Sequence, residues 1–187
     1  HGDDNGLVLP PRVAPIQVVV LPIAQHKPGV IEAAQGLKDR LEKAGVRVKL
    51  DDSDKAPGWK FAEYEMRGVP LRVEIGPKDM EKEQCCIARR DTGEKAFVPL
   101  AELESTVAKL LDEIHDNMFA MAKKNLEDNT FFADTWEEVR ALVEKNSGGF
   151  VHTKWCGSLD CELAMKEKVG VTSRCMPLDQ SGIAGKC

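Results

Sequence analysis

Residues 57–79 read PGWKFAEYEMRGVPLRVEIGPKD, and the fold can be worked out from this stretch. Its two ends carry the turn dipeptides Pro57-Gly58 and Gly76-Pro77. Between them, aliphatic residues alternate with polar residues or proline, at Val69, Leu71, Val73 and Ile75. This period of two predicts a strand with one buried face. Arg72 and Glu74 then share the opposite face of that strand.

Three aromatic residues precede the predicted strand, and charged residues are interleaved with them. The aromatics are Trp59, Phe61 and Tyr64, and the charged residues are Lys60, Glu63, Glu65 and Arg67. Aromatic rings beside paired charges can stack on, and hydrogen-bond to, the splayed bases of a single-stranded RNA loop. The residues alone leave a second interpretation open, in which an ordinary amphipathic helix keeps its charges in water.

The segments before this stretch predict a βαβ unit. Residues 16–23 form a β-branched run that predicts a strand buried on both faces. A helix face follows, formed by Val30, Ala34, Leu37 and Leu41, and Gly45 is placed to end that helix. Residues 46–50 alternate as a second strand, so the two strands are expected to be parallel. The acidic run at residues 51–54 predicts a solvated loop.

The segments after it predict a hairpin and a long helix. Residues 84–88 and 95–99 are short strands joined by a tight loop, with Cys85 and Cys86 as small core or edge residues. A stripe at helical spacing follows, formed by Leu103, Val107, Leu110, Ile114, Met118 and Met121. Polar residues 125–130 then predict a domain boundary.

The last part of the chain predicts a small second domain. Thr135 and Glu138 form a capping box at the start of a helix. Residues 150–155 and 171–176 are predicted strands, residues 160–168 a predicted helix, and residues 179–187 a glycine-rich, irregular end.

Length and charge narrow the classes of protein. The chain has 187 residues, which is enough for one full domain and one small one. The net charge is −5, and residues 59–95 contain eight Lys or Arg and eight Asp or Glu. This excludes a non-specific coat on nucleic acid, so any RNA binding has to rest on individually placed contacts. No apolar run approaches the roughly 20 residues of a membrane helix. No secretory signal is visible. The start at His1 instead of a methionine predicts that the chain is a fragment.

Six cysteines are present in a chain without a secretory signal, which favours metal binding or free thiols over a disulfide framework. Cys156 and Cys161 have four residues between them, within the usual spacing of paired zinc ligands. A closed zinc site needs four ligands. Two further ligands are then needed, and Cys175 or, more remotely, His152 could contribute. The alternative is that these cysteines are reduced free thiols.

Three segments resemble the anticodon-binding domain of prolyl-tRNA synthetases of the archaeal and eukaryotic type. They are HGDDNGLVLPPRVAP at residues 1–15, the stretch from PGWKF to VEIGPKD, and RRDTGEK at residues 89–95. The end of the chain, from Trp155 onward, resembles the C-terminal zinc-binding domain of the same family. The resemblance covers nearly the whole chain.

The resemblance implies a fold and a division into domains. Residues 1–15 correspond to the end of a class II catalytic domain. Residues 16–126 correspond to an anticodon-binding domain, an α/β fold with a mixed five-stranded sheet and helices on its faces. Residues 127–187 correspond to a small α+β domain of the zinc-binding type, truncated at its end.

The resemblance also implies a function. The family joins L-proline to its tRNA using ATP, and this chain would supply the anticodon-reading and C-terminal parts. ATP and magnesium would bind only in the missing catalytic domain, so the chain alone is expected to be inactive. The expected partner is proline tRNA in the cytoplasm, with no membrane. The full-length enzyme is expected to be a homodimer and this part a monomer. A stand-alone tRNA-binding or regulatory module without ligase activity is the alternative.

Carried over by position, the resemblance implies roles for six residues in reading the two guanines shared by proline anticodons. Phe61 would stack on a base, Glu65 would accept hydrogen bonds from a guanine, and Arg72 would donate to a guanine or a phosphate. Lys78 and Asp79 would complete the readout, and Lys95 would contact a phosphate. For the metal, the resemblance implies structural zinc on Cys156, Cys161 and Cys187, with the fourth ligand missing and Cys175 as a substitute.

Overall fold

In a computed structural model, the chain forms two compact units, His1–Ala120 and Met121–Cys187. The structure describes residues 1–146, 148–180, 185 and 187. Part of the irregular end predicted at 179–187 therefore lies outside the described residues. Within the described ranges, no helix combines the length and the apolar character needed to span a bilayer.

The first unit contains seven strands and four α-helices, the last of which continues into the second unit. The strands are β1 (Gly2–Asp3), β2 (Gly6–Leu7), β3 (Val18–Pro22), β4 (Val48–Leu50), β5 (Leu71–Ile75), β6 (Gln84–Arg89) and β7 (Lys95–Pro99). The helices are α1 (Val30–Lys43), α2 (Pro57–Met66), α3 (Pro77–Glu81) and α4 (Leu103–Asp128), with a 3₁₀ turn at Leu100–Glu102. The last part of α4, from Met121, belongs to the second unit.

Five of these strands form one mixed sheet in the order β4-β3-β5-β6-β7. The pairs β3–β4 and β3–β5 are parallel, which confirms the predicted βαβ unit. The pairs β5–β6 and β6–β7 are antiparallel, which confirms the predicted hairpin. The expected α/β fold with a mixed five-stranded sheet is therefore correct.

One face of the sheet builds the main core. Side chains of β3, β5 and β6 pack there against α1 and α4. The buried residues of α4 are Leu103, Val107, Leu111, Ile114 and Met118. The predicted stripe was wrong at Met121, which is 62% exposed. Leu110 packs against the core but is only partly buried, and Leu111 is a buried residue that the stripe did not include.

The other face of the sheet is covered in part by α2. Val19 and Leu21 of β3 pack there against Tyr64 of α2 and Val69. The prediction that the strand after α2 has a single buried face was therefore wrong. The strand lies at the centre of the sheet, and even Arg72 on its polar face is buried.

The two proline dipeptides begin helices instead of forming free turns. Pro57 is the first residue of α2 and Pro77 the first residue of α3. Proline suits this position because its fixed φ angle is helical and the first N–H groups of a helix have no intrahelical acceptor. Both dipeptides therefore mark the start of a helix in this chain.

The acidic run after β4 is not simply solvated. Asp51 accepts a hydrogen bond from the Tyr64 hydroxyl at 3.0 Å. Its carboxylate also lies 3.6 Å from Nζ of Lys60, whose side chain is only 3% exposed. The loop therefore neutralises a buried lysine and holds α2 against the sheet.

An ion pair fixes the short hairpin of β1 and β2 to the rest of the first unit. Both terminal nitrogens of Arg90 donate to the Asp3 carboxylate, at 2.6 and 2.7 Å. Gly6 has φ +128°, and a Cβ at this position would collide with the backbone of Met66. Only glycine therefore allows this close approach of the hairpin to α2.

The second unit contains β8 (Thr130–Phe132), α5 (Trp136–Lys145), β9 (Phe150–His152) and α6 (Leu159–Val169). Strands β8 and β9 are parallel. Thr135 accepts a hydrogen bond from Glu138 N–H at 3.3 Å, which confirms the predicted capping box. The strand predicted at 171–176 was wrong, since these residues have no regular secondary structure.

The fold predicts a large difference between two isoleucine substitutions. Ile75 is fully buried in the sheet core, whereas Ile31 on α1 is 40% exposed. We expect Ile75→Ala to lower the free energy of unfolding by about 2–5 kcal/mol, because it removes buried methyl groups and leaves a cavity. Ile31→Ala is the matched control and should change it far less, since alanine also favours the helix. Urea unfolding of both variants measures the difference, and equal losses would contradict the assigned core.

Candidate functional site

Helix α2 presents two of the predicted site residues to the sheet. Phe61 and Glu65 are four residues apart and therefore lie on the same side of the helix. That side faces Arg72 of β5, because the guanidinium carbon of Arg72 lies 4.0 Å from the centre of the Phe61 ring. The periods of the helix and the strand thus bring Phe61, Glu65 and Arg72 together in one place.

Arg72 is the centre of this cluster. Its Nη1 donates to Oε1 of Glu65 at 2.9 Å, and its Nε donates to Oε1 of Glu74 at 2.9 Å. The whole residue is only 7% exposed. Because the guanidinium is held on two edges by carboxylates and on one face by an aromatic ring, its orientation is fixed before any ligand arrives.

Lys95 of β7 joins the same cluster from the adjacent hairpin. Its ammonium lies 3.4 Å from Oε1 of Glu74 and 5.3 Å from the centre of the Phe61 ring. The cluster of Phe61, Glu65, Arg72, Glu74 and Lys95 therefore contains two cations and two carboxylates. It offers directed donors and acceptors without a net positive charge.

The other two predicted residues lie at the end of β5. Asp79 accepts a hydrogen bond from Gly76 N–H at 3.0 Å and so caps α3. Lys78 is exposed on the same short helix. Within the described part of the chain, no hydrogen bond or ion pair joins either residue to the cluster.

The charge of Asp79 acts on Cys86, which pairs with Glu74 across the sheet. Burial raises the pKa of the Cys86 thiol, and the negative charges of Glu74 and Asp79 raise it further. The positive charges of Lys95 and Arg72 act on this pKa in the opposite direction. The contact that the structure gives the Asp79 carboxylate is the cap of α3.

A cleft of about 270 Å³ opens beside the cluster. Its lining includes Glu65, Arg72 and Lys95 together with Asp3 and Arg90. Arg90 supports one wall, since its Nε donates to the backbone carbonyl of Glu65 at 3.0 Å while its other nitrogens hold Asp3. The volume is close to the lower end of the roughly 300–1,000 Å³ of small-ligand pockets, so the cleft has room for one small group.

Two residues of this site were not singled out as site residues from the sequence. Glu74 forms ion pairs with both cations of the cluster. The alternation of residues 69–75 indicated its place, because it puts Glu74 on the same face as Arg72. Arg90 had no such signal, because its partner Asp3 lies 87 residues away in sequence. Long-range ion pairs of this kind follow from the fold and not from a local pattern.

Three cysteines converge in the second unit. The sulfur atoms of Cys156, Cys161 and Cys187 all lie within 4.8 Å of one another, and the first two are 3.4 Å apart. Sulfurs bound tetrahedrally to zinc at about 2.3 Å lie roughly 3.8 Å from each other. The three thiols are thus spaced to hold a metal ion. Among the described residues, neither Cys175 nor His152 belongs to this group, and the His152 ring stacks on Phe132 at 4.9 Å.

The backbone around Cys156 favours the thiolate that a metal would bind. Gly157 has φ +81°, a left-handed conformation that glycine adopts readily. A backbone hydrogen bond from Ser158 to the sulfur is the main cause that lowers the pKa of Cys156, and hydrogen bonds with Cys161 and Cys187 lower it further. A thiolate in a short turn with an N–H directed at its sulfur is suited to a metal.

Residues 17–110, which span the five-stranded sheet and the cluster, match the sequence profile described as "Anticodon binding domain". The chain belongs to this family. Residues 136–187, which include the three cysteines, match the profile described as "Prolyl-tRNA synthetase, C-terminal". The anticodon-binding domain therefore carries the cluster on its sheet, and the C-terminal segment carries the cysteine group.

Curated relatives match over the whole chain. A protein named "Proline--tRNA ligase" from Clostridium botulinum (strain 657 / Type Ba4) is 54% identical over 187 residues. Its namesake from Clostridium novyi (strain NT) is 52% identical, and "Proline--tRNA ligase 2" from a strain of Bacillus cereus is 50% identical. In each case the match covers 100% of this chain and 39% of the relative. The chain thus spans about two-fifths of the length of these relatives.

The geometry predicts that Glu74 stabilises the domain through Arg72. Glu74→Ala removes one of the two carboxylates on a buried guanidinium, so we expect a loss of roughly 1–3 kcal/mol in the free energy of unfolding. The matched control is Glu42→Ala, which breaks an exposed pair with Lys38 on α1 and should cost less than about 0.5 kcal/mol. Urea unfolding tests both. The assigned role of Glu74 is wrong if the two variants lose the same stability.

Proposed function

We propose that this chain reads the anticodon loop of proline tRNA as part of a ligase that joins proline to tRNA using ATP. The observation that carries the proposal is the cluster of Phe61, Glu65, Arg72, Glu74 and Lys95 beside the cleft. It combines an aromatic ring with oriented donors and acceptors, which is what recognition of an unpaired base requires. The family match and the names of the relatives agree with this role.

Each side chain of the cluster has a function in this proposal. Glu65 accepts hydrogen bonds from the Watson–Crick edge of a guanine, which presents two N–H donors to a carboxylate. Arg72 donates to guanine O6 and N7, the commonest specific contact of arginine with a base. Phe61 stacks on a base. Lys95, which is 49% exposed, contacts a phosphate.

Lys78 and Asp79 have a secondary place in the proposal. Both lie on α3 at the end of β5, and Asp79 already caps that helix. We infer that the exposed Lys78 meets the sugar–phosphate backbone and that Asp79 keeps the turn rigid. Their contribution to discrimination is therefore expected to be smaller than that of Glu65.

The proposal also covers the rest of the protein. We infer that residues 1–15 end a catalytic domain, residues 16–126 read the anticodon and residues 127–187 form the C-terminal domain. ATP and magnesium belong to the catalytic domain, so the chain alone is not expected to form prolyl-tRNA. A cytoplasmic location and a homodimeric full-length enzyme complete the proposal.

The second unit is proposed to hold a structural zinc ion on Cys156, Cys161 and Cys187. Three thiols within 4.8 Å and the N–H directed at Cys156 support this choice, because thiolates favour zinc over magnesium or calcium. When bound, zinc would stabilise the folded second unit and take no part in the reaction.

The main proposal predicts discrimination between two RNA hairpins. One carries a proline anticodon, and the other has the two shared guanines changed to adenine. At one fixed salt concentration, we expect the first to bind at least about tenfold more tightly, a difference of about 1.4 kcal/mol. A filter-binding or anisotropy titration measures it. Equal binding of both hairpins would overturn the proposed readout.

Two variants predict different losses in the same titration. Glu65→Gln should bring the affinities of the two hairpins together, because the amide cannot replace the charged acceptor of both guanine donors. Lys95→Ala should weaken both hairpins alike and reduce the slope of log K against log salt by about 0.7, the value for one phosphate contact on a single strand. Lys109→Ala, at an exposed lysine on α4, is the matched control and should change neither quantity. Similar losses for the two hairpins with Glu65→Gln would contradict its readout role.

The zinc proposal predicts which cysteines matter. Cys156→Ser and Cys161→Ser should each greatly reduce bound zinc, whereas Cys175→Ser is the matched control and should retain it. Metal analysis after chelation and reloading measures the zinc content, and cobalt substitution reports thiolate ligands by their charge-transfer absorption. The site consists of free thiols if the unsubstituted chain fails to take up either metal.

A further inference from the structure

Strand β7 carries a large aromatic side chain that the cluster does not use. Phe97 is 66% exposed, although its neighbour Val98 is buried in the sheet core. Single exposed apolar residues are common on protein surfaces, so exposure alone assigns no function. What distinguishes Phe97 is its position relative to the cluster.

The register of the sheet places Phe97 on the same face as the cluster. Phe97 pairs with Cys86, and Cys86 pairs with Glu74. Residues that are paired across strands point to the same face, so Glu74, Cys86 and Phe97 form one row. A parallel row contains Arg72, Ala88 and Lys95, which are related by the same pairings.

The two rows form one continuous face of the sheet, which is exposed at its outer edge, at Lys95 and Phe97. Cys86 and Ala88, the small residues in the middle, are buried at 9% and 6% exposure, with charged or aromatic side chains on either side. Phe97 lies two residues beyond Lys95, about 6.8 Å further along the strand. Lys95 in turn lies 5.3 Å from the Phe61 ring, so the surface continues from Phe61 through Lys95 to Phe97.

The two aromatic rings differ in what already contacts them. The Phe61 ring has the guanidinium of Arg72 at 4.0 Å and the ammonium of Lys95 at 5.3 Å. Among the described residues, no cation or aromatic ring stacks on Phe97. The Phe97 ring is therefore open to a flat ligand. Lys95, two residues away, could contact a phosphate of the same ligand.

We propose that Phe97 is a second stacking platform, which takes the unpaired base next to the guanine pair of the same RNA loop. The proposal rests on the proposed function and deepens it. Aromatic faces accept any base, since every base has a π face. Phe97 thus adds affinity without base identity, while Glu65 and Arg72 supply the discrimination.

The test measures Phe97→Ala and Phe97→Trp against both hairpins of the preceding section. We expect Phe97→Ala to weaken both hairpins by the same factor, roughly 5- to 150-fold, and to leave their ratio unchanged. Phe97→Trp should retain the binding, because the larger ring still stacks. The matched control is Phe119→Ala on α4, which removes a phenylalanine of nearly identical exposure, 67%, and should leave both affinities unchanged.

A fluorescent base identifies the contact directly. With 2-aminopurine next to the guanine pair, on one side or the other, the unsubstituted chain should quench its emission on binding from one of the two positions. Phe97→Ala should abolish that quenching. Thermal unfolding of Phe97→Ala serves as a folding check, and little change is expected because the ring is mostly exposed.

The outcomes separate this inference from the proposed function. If the unsubstituted chain fails to discriminate between the hairpins, the proposed function fails, and the platform fails with it. If discrimination is present but Phe97→Ala binds as well as the unsubstituted chain, only the platform is wrong. A shift in oligomeric state with unchanged RNA affinity would make Phe97 a protein contact and would also overturn the platform.

Discussion

A buried arginine determines how the first unit is built. Taking a cation out of water into a sheet costs several kcal/mol unless charged and polar groups compensate it. Arg72 lies in the central strand, and its compensation comes from Glu74 of the same strand and Glu65 and Phe61 of α2. The charge of Arg72 is therefore compensated only when α2 lies in its observed position, because a displaced helix would leave the guanidinium without two of its three partners.

The same requirement fixes the strand register. A slip of one residue would turn Arg72 into the apolar core and bring Leu71 or Val73 to the polar face. Since β3 and β6 pair with β5 on either side, the register of β5 sets the rows across the sheet. The rows that lead to Phe97 thus follow from the position of Arg72 in the sheet, although Phe97 itself lies outside the cluster.

Local patterns in the sequence predicted the elements well and the tertiary partners poorly. The alternation at Leu71, Val73 and Ile75 and the parallel βαβ unit were both predicted and confirmed. Burial of the polar face was missed, because a period of two cannot show that α2 covers it. The ion pair of Arg90 with Asp3 was missed as well, since residues 87 positions apart share no local signal.

The site itself was predictable in part. Family motifs indicated Phe61, Glu65, Arg72 and Lys95, and the structure brings these four together. Whether they read an anticodon stays a proposal. Glu74 could have been added to the predicted site residues, because it lies two residues from Arg72 and therefore on the same face of the strand. The convergence of Cys187 with the other two cysteines was expected from the resemblance only, because spacing indicates a ligand pair within one turn but not a partner 26 positions further along.

The balance of charge in the cluster has a consequence for the proposed readout. Two cations and two carboxylates attract RNA little over a distance, so the affinity has to come from short-range contacts. In the free protein Glu65 is already bonded to Arg72, and a guanine has to compete for that carboxylate. The gain on binding is therefore modest for the correct base. Adenine cannot offer both N–H donors, so its binding would displace water from the Glu65 carboxylate without replacing both hydrogen bonds. In the proposed readout, specificity would therefore come from rejection of the wrong base, and affinity from contacts that ignore base identity, such as the proposed stacking on Phe97.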